Sequence, residues 1–113
     1  MIVDDDRGIR RVYAFFLASE GYTVIEAEDG MDALNQLAES QCDVVVTDMC
    51  MPRMGGLELI KALREQGYNG WIIVITAHGT PDTREQAMDC GADRYITKPF
   101  PFEELEECVR VAF

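Results

Sequence analysis

Two kinds of apolar pattern alternate along the chain. Ile2-Val3, Val44-Val45-Val46-Thr47 and residues 71–76 are runs without polar alternation, as expected of strands buried on both faces. Residues 22–26 and 94–97 read as two further strands. Between them apolar residues recur at helical spacing. Ile9, Val12, Tyr13, Phe16 and Leu17 precede Gly21; Leu34, Leu37 and Ala38 share one face of residues 31–40; Leu57, Ile60 and Leu63 precede Gly67. Phe102, Leu105 and Val109 mark a last helix, with Glu103 and Glu104 at its positive end. Asp6 stands where the first helix needs an N-cap. Thr80-Pro81 reads as an N-cap and N1 proline opening a helix that stops at Gly91.

The result is five strand–helix units in succession, with no linker, repeat or low-complexity segment. Alternating strands and helices imply an α/β fold with a parallel sheet covered on both faces. A closed barrel needs eight such units, so an open doubly wound sheet is expected. A length of 113 residues is one domain's worth, and 48% hydrophobic residues are enough for a core. The formal charge of −11 argues against nucleic acid or an anionic membrane as direct partner. The 4 cysteines (Cys42, Cys50, Cys90, Cys108) contain no C-x-x-C, and His78 is the only histidine, so zinc-site spacing is absent. Free thiols, no long apolar run and no signal-peptide pattern make a cytoplasmic location the expectation.

In an open α/β sheet, ligands bind beyond the carboxyl ends of the strands. Those ends carry Asp4 and Asp5, Asp48, Thr76-Ala77 and Lys98-Pro99. A single strand-end Asp is often only a helix cap. Three carboxylates converging on one rim repel one another unless a cation relieves them. A hard divalent ion with oxygen ligands, Mg²⁺ or its substitute Mn²⁺, is the economical answer. Such an ion keeps waters and recruits phosphate oxygens, to which a lysine and a threonine hydroxyl add charge and a hydrogen bond.

With these residues in view, the sequence resembles the receiver domains of two-component response regulators, over essentially its whole length. The resemblance rests on Val3-Asp4-Asp5-Asp6, on residues 46–56 (VTDMCMPRMGG), on Ile75-Thr76-Ala77 and on residues 91–100 (GADRYITKPF), in this order and each at a strand end. It implies a flavodoxin-like (βα)5 sheet with strand order 2-1-3-4-5. Asp48 matches the phosphoacceptor, a nucleophile forming an aspartyl phosphate. Asp5 matches the direct Mg²⁺ ligand, Asp4 the acidic neighbour acting through metal-bound water, and the backbone carbonyl of Cys50 the third protein ligand. Thr76 and Lys98 match the hydroxyl and ammonium that hold the phosphoryl group, and Tyr95 matches the aromatic switch that follows Thr76. Met49 and Ala77 match backbone N–H donors to phosphoryl oxygens, and a cis Lys98-Pro99 bond is expected. The partners implied are a histidine kinase or phosphotransfer protein upstream, and an output domain or effector contacting residues 81–113 downstream. A phosphorylation-dependent dimer is a further possibility. The domain is expected to catalyse only its own phosphorylation and dephosphorylation, so it is not an enzyme in the ordinary sense.

The short first run and the early stop at Phe113 suggest a single receiver domain, residues 1–113, excised from a longer protein. Cys50 and His78, two residues beyond Asp48 and Thr76, occupy positions that tune phosphoryl lifetime in the family. Met49, Met51 and Met54 are read as packing residues. A haloacid-dehalogenase-like phosphohydrolase wants a second Asp where Cys50 stands. A nucleotide or flavin module wants a glycine-rich loop where Asp4-Asp5-Asp6 stands. A degenerate receiver acting as a phosphorylation-independent interaction module is the remaining alternative, and the complete Asp, Thr and Lys set argues against it.

Overall fold

A computed structural model describes residues 1–113. Strands β1 (Ile2–Val3), β2 (Glu26–Ala27), β3 (Val44–Asp48), β4 (Trp71–Thr76) and β5 (Arg94–Thr97) alternate with helices α1 (Arg7–Ser19), α2 (Gly30–Leu37), α3 (Gly56–Glu65), α4 (Pro81–Cys90) and α5 (Phe102–Arg110). All pairings are parallel, in the order β2-β1-β3-β4-β5. This is the doubly wound, flavodoxin-like sheet expected. The register Asp48↔Ile75 and Thr76↔Thr97 brings the chemistry-bearing strand ends to one rim.

Strand periodicity divides the core. Val3, Val45, Ile72 and Val74 face Leu59, Ile60, Leu63 and Ala87 on the α3 and α4 side. Ile2, Val46, Ile73, Ile75 and Ile96 face Leu17, Leu105 and Val109 of α1 and α5. The helices are held unequally: α3 buries Gly56, Leu59, Ile60 and Leu63, whereas α4 buries only Ala87. The α4 start is as predicted. Thr80 accepts from the Thr83 N–H, Thr83 accepts from the Thr80 N–H, Pro81 lies in the first turn, and Gly91 ends the helix at φ 116°. Met49, Met51 and Met54 pack against the core, as expected.

At the amino ends of the strands, Arg64 is a clamp. Its guanidinium donates to the carbonyls of Tyr68 (2.8 Å), Gly70 (2.9 Å) and Gly91 (2.9 and 3.1 Å), and to Asp93 Oδ2 (3.0 Å). Asp93 Oδ2 in turn accepts the Ile72 N–H at 2.8 Å.

Three local expectations shift. The predicted strand at residues 22–26 is observed only at Glu26–Ala27, because its partner β1 pairs from Ile2, whose register partner is Glu26. Helix α2 starts at Gly30 rather than Met31, capped by Asp29, whose side chain accepts the Asp32 N–H at 2.8 Å. Val12, counted with the buried face of α1, is 50% exposed, while Ala14 and Leu17 are buried. At 3.6 residues per turn Val12 sits about 200° around the helix from Ala14. No helix is long and apolar enough to cross a membrane.

Candidate functional site

The rim residues meet. Carboxylate oxygens of Asp4, Asp5 and Asp48 lie within 4.8 Å of one another. Lys98 places its ammonium 3.5 Å from Asp48 Oδ2 and 4.0 Å from Asp4 Oδ2. Lys98 is followed by a cis bond to Pro99, as expected.

The three acids differ in environment. Asp4 is buried and accepts the Asp6 N–H through Oδ1 at 2.8 Å. Its carboxyl is raised above the ordinary 3.8. Burial is the largest cause, with Asp48 and Asp5 adding to it, while the Asp6 N–H and Lys98 oppose it. Asp5 is exposed and free of hydrogen bonds, open to a direct ligand role. Asp6, at the helix start, accepts the Ile9 N–H at 3.1 Å and is the N-cap predicted. Asp48, half-buried at the end of β3, accepts the Cys50 N–H at 3.3 Å. Three hard oxygen donors against one ammonium suit a divalent cation such as Mg²⁺, which takes carboxylates together with water.

Thr76 is buried at the end of β4, and its Oγ1 accepts the His78 N–H at 3.2 Å. That hydroxyl makes no hydrogen bond to Asp48 or Lys98, although the Thr76 carbonyl accepts the Lys98 N–H at 2.8 Å. The Met49 N–H, expected to be a donor to a ligand, donates instead to the Ile75 carbonyl at 3.1 Å. The Ala77 N–H has no protein partner. Tyr95 is half-buried on β5, and its hydroxyl lies 2.7 Å from Thr83 Oγ1.

Several residues outside the motifs shape the rim. Gly56 comes so close to the strand end that a Cβ there would stand 2.5 Å from the Asp48 carbonyl oxygen. Its N–H closes the loop onto the Met49 carbonyl at 2.9 Å. Arg10 donates to the Asp4 carbonyl at 2.8 Å while paired with Glu26 at 3.1 Å. Tyr13 is held above its ordinary 10.0, chiefly by burial, and feels the charges of Lys98, Asp4 and Asp48. Arg53, in the left-handed region at φ 67°, pairs with the buried Asp29. The helical pattern indicated that Tyr13 faces inward. Nothing in the pattern foretold the cross-element reach of Arg10 or Arg53.

A doubly wound parallel sheet with an acidic, lysine-flanked rim at its carboxyl edge places the chain among flavodoxin-like α/β domains, and comparison with known proteins makes this specific. The family model "Response regulator receiver domain" matches residues 1–110, and the chain belongs to that family. It is 43% identical over 105 residues to the response regulator MprA of Mycobacterium sp. (strain KMS), covering 93% of this chain and 46% of that protein. The chain thus spans about half the length of such relatives. Its fold is similar to the Francisella response regulator 1452 receiver domain (TM-score 0.94, 32% identity, 98% of this chain and 92% of that one). It is also similar to the chemotaxis protein CheY4 of Vibrio cholerae (TM-score 0.93, 32% identity, 99% and 95%). The chain is therefore a receiver domain of the two-component type, and the family it belongs to is one of signalling domains.

Proposed function

We propose that this domain accepts a phosphoryl group on Asp48 in a Mg²⁺-dependent reaction. The donor is the phosphohistidine of a partner histidine kinase or phosphotransfer protein. The observation that carries the reading is the placement of Asp48: its carboxylate faces Lys98 at 3.5 Å and is grouped with Asp4 and Asp5 within 4.8 Å. Phosphoryl transfer relies on positioning and charge neutralisation more than on a covalent apparatus. An Asp48 oxygen forms the new P–O bond as the donor P–N bond breaks, its electron pair leaving on the imidazole. A carboxylate nucleophile needs no general base.

Asp5, the Cys50 carbonyl and Asp48 are the proposed direct ligands of Mg²⁺, or of Mn²⁺ in its place, with Asp4 acting through water. When bound, the ion offsets the negative charge that the phosphoryl group adds. Lys98 pairs with one phosphoryl oxygen, and the Thr76 hydroxyl turns inward to another. Tyr95 follows Thr76, and the 81–113 surface changes what it binds. Residues 1–113 are one receiver domain, and its output lies in a partner or in sequence beyond this chain, a reading supported by relatives about twice as long. His78 and Cys50 set the lifetime of the phosphoryl group.

Intact mass after incubation with acetyl phosphate and Mg²⁺ tests the reading. A gain of one phosphoryl group, lost in Asp48→Asn and in EDTA, is expected. No gain in folded wild type would favour a phosphorylation-independent interaction module instead.

A further inference from the structure

Thr83 lies outside every motif that identifies the family, yet its hydroxyl is the most connected on the 81–113 surface. It accepts the Thr80 N–H at 2.9 Å, approaches Tyr95 Oη at 2.7 Å, and donates to the Thr80 carbonyl at 3.0 Å. A hydroxyl has one proton and two lone pairs. The Thr80 N–H fills one lone pair, and the Thr80 carbonyl, the Thr80 hydroxyl at 3.1 Å and Tyr95 Oη share the proton and the other lone pair. The group is saturated, and it joins the start of α4, the β4–α4 loop and Tyr95 at one atom.

The same loop is gripped at its other end. Thr76 Oγ1 accepts the His78 N–H at 3.2 Å, so Thr76 must release that donor before its hydroxyl turns toward a group on Asp48. Between these ends, Gly79 sits tight on β5. A Cβ there would stand 2.2 Å from Thr97 Cγ2 and 3.2 Å from Tyr95 Oη. The loop therefore has no slack against Tyr95 or Thr97. Beyond the loop, α4 buries only Ala87, so apolar packing does little to fix its first turn.

We propose that the Thr83 hydroxyl is the latch that holds Tyr95 against α4 in the unphosphorylated domain. When Thr76 lets go of His78, the loop moves, the Thr80 N–H leaves Thr83, and Tyr95 is released. Thr83 is a positioning residue: it touches no reacting atom and acts through Tyr95 and the loop. This role rests on the reading of Asp48 as phosphoacceptor. By linkage, weakening the latch makes phosphorylation more favourable by the same factor that it destabilises the latched arrangement.

The test compares wild type, Thr83→Val, which keeps the shape and loses the hydroxyl, and Thr83→Ser, which keeps the hydroxyl. Without any phosphodonor, the χ1 rotamer populations of Tyr95 are read from three-bond NMR couplings. With Mg²⁺ and acetyl phosphate, the donor concentration giving half-maximal phosphorylation is read by intact mass. Thr83→Val is expected to spread Tyr95 over more than one rotamer and to lower the half-maximal concentration about fivefold, the factor one neutral hydrogen bond of ordinary strength carries. Thr83→Ser is expected to behave as wild type in both. If Tyr95 keeps its wild-type rotamer in Thr83→Val while amide exchange in α4 quickens, Thr83 is a helix cap only and the latch is refuted. If the rotamers spread but half-maximal phosphorylation does not move, the coupling is refuted. If wild type takes up no phosphoryl group at all, the Asp48 reading falls, and the Tyr95 rotamers alone judge the latch.

Discussion

Replacing Asp4 by Asn is expected to stabilise the metal-free domain. At an effective dielectric constant of about 20, two like charges ~5 Å apart repel by about 3 kcal/mol, and an opposite charge at ~4 Å returns about 4 kcal/mol. Asp4 meets both Asp48 and Asp5 within 4.8 Å and has one cation, Lys98, at 4.0 Å. The exposed Asp5 is screened by solvent, so repulsion and attraction nearly cancel, and burial of the charge then decides the sign. The net gain on neutralising Asp4 is on the order of 2 kcal/mol. For a domain of this size that is roughly 10 °C in Tm. Asn keeps an oxygen for the Asp6 N–H, and Lys98 keeps Asp48 at 3.5 Å. The carboxyl of Asp4 is raised in the folded state, so its destabilising effect grows as pH rises above the ordinary 3.8 and is absent below it. Thermal melts of wild type and Asp4→Asn in EDTA should therefore differ most near neutral pH and converge in acid. Saturating Mg²⁺ should raise the melting temperature of wild type more than that of the variant. An Asp4→Asn protein less stable than wild type at neutral pH without metal would refute the reasoning and make Lys98 the dominant influence on Asp4.

Three further outcomes follow from the structure. Gly56→Ala places a methyl 2.5 Å from the Asp48 carbonyl oxygen and should cost about 2 kcal/mol in urea unfolding, with slower uptake from acetyl phosphate than Ala substitutions elsewhere in α3. Arg64→Met orphans the carbonyls of Gly70 and Gly91 and should lower stability by about 3 kcal/mol in the same assay. Tyr68, whose hydroxyl donates to the Cys42 carbonyl at 3.0 Å, is pushed well above its ordinary 10.0, first by burial. Stability fully present below that value should be lost as pH rises above it, and Tyr68→Phe should flatten the fall of urea midpoints above about pH 10.

The fold was legible where the pattern reflects burial on both faces. Val44-Val45-Val46-Thr47 and residues 71–76 are central strands, and nothing else in the chain has their continuity. It was less legible where pairing sets the limits: residues 22–25 carry strand-forming side chains, but β1 runs alongside only from Glu26. Helix caps were read where the residue type is distinctive, as at Asp6 and Thr80, and missed at Asp29, which is hidden among Glu28, Gly30 and Asp32. The acidic rim followed from the strand-end rule, because topology alone brings Asp4, Asp5 and Asp48 together. The assignment of nucleophile, ligand and switch came from the resemblance, since three aspartates look alike to any pattern. Arg64, Arg10 and Thr83 were illegible for a different reason. Their partners lie on other elements, and the reach of a long or polar side chain leaves no periodic trace.

The unequal hold on the helices has a thermodynamic consequence. A transition that shifts α4 moves a helix with one buried alanine, so it transfers little apolar surface between protein and water. Heat-capacity changes scale with that surface. The proposed switching equilibrium should therefore have a heat-capacity change small beside that of unfolding the same domain, with the half-buried Tyr95 ring the main apolar surface it moves. Its enthalpy then stays nearly constant with temperature, and a van 't Hoff plot of the two arrangements should run close to a straight line.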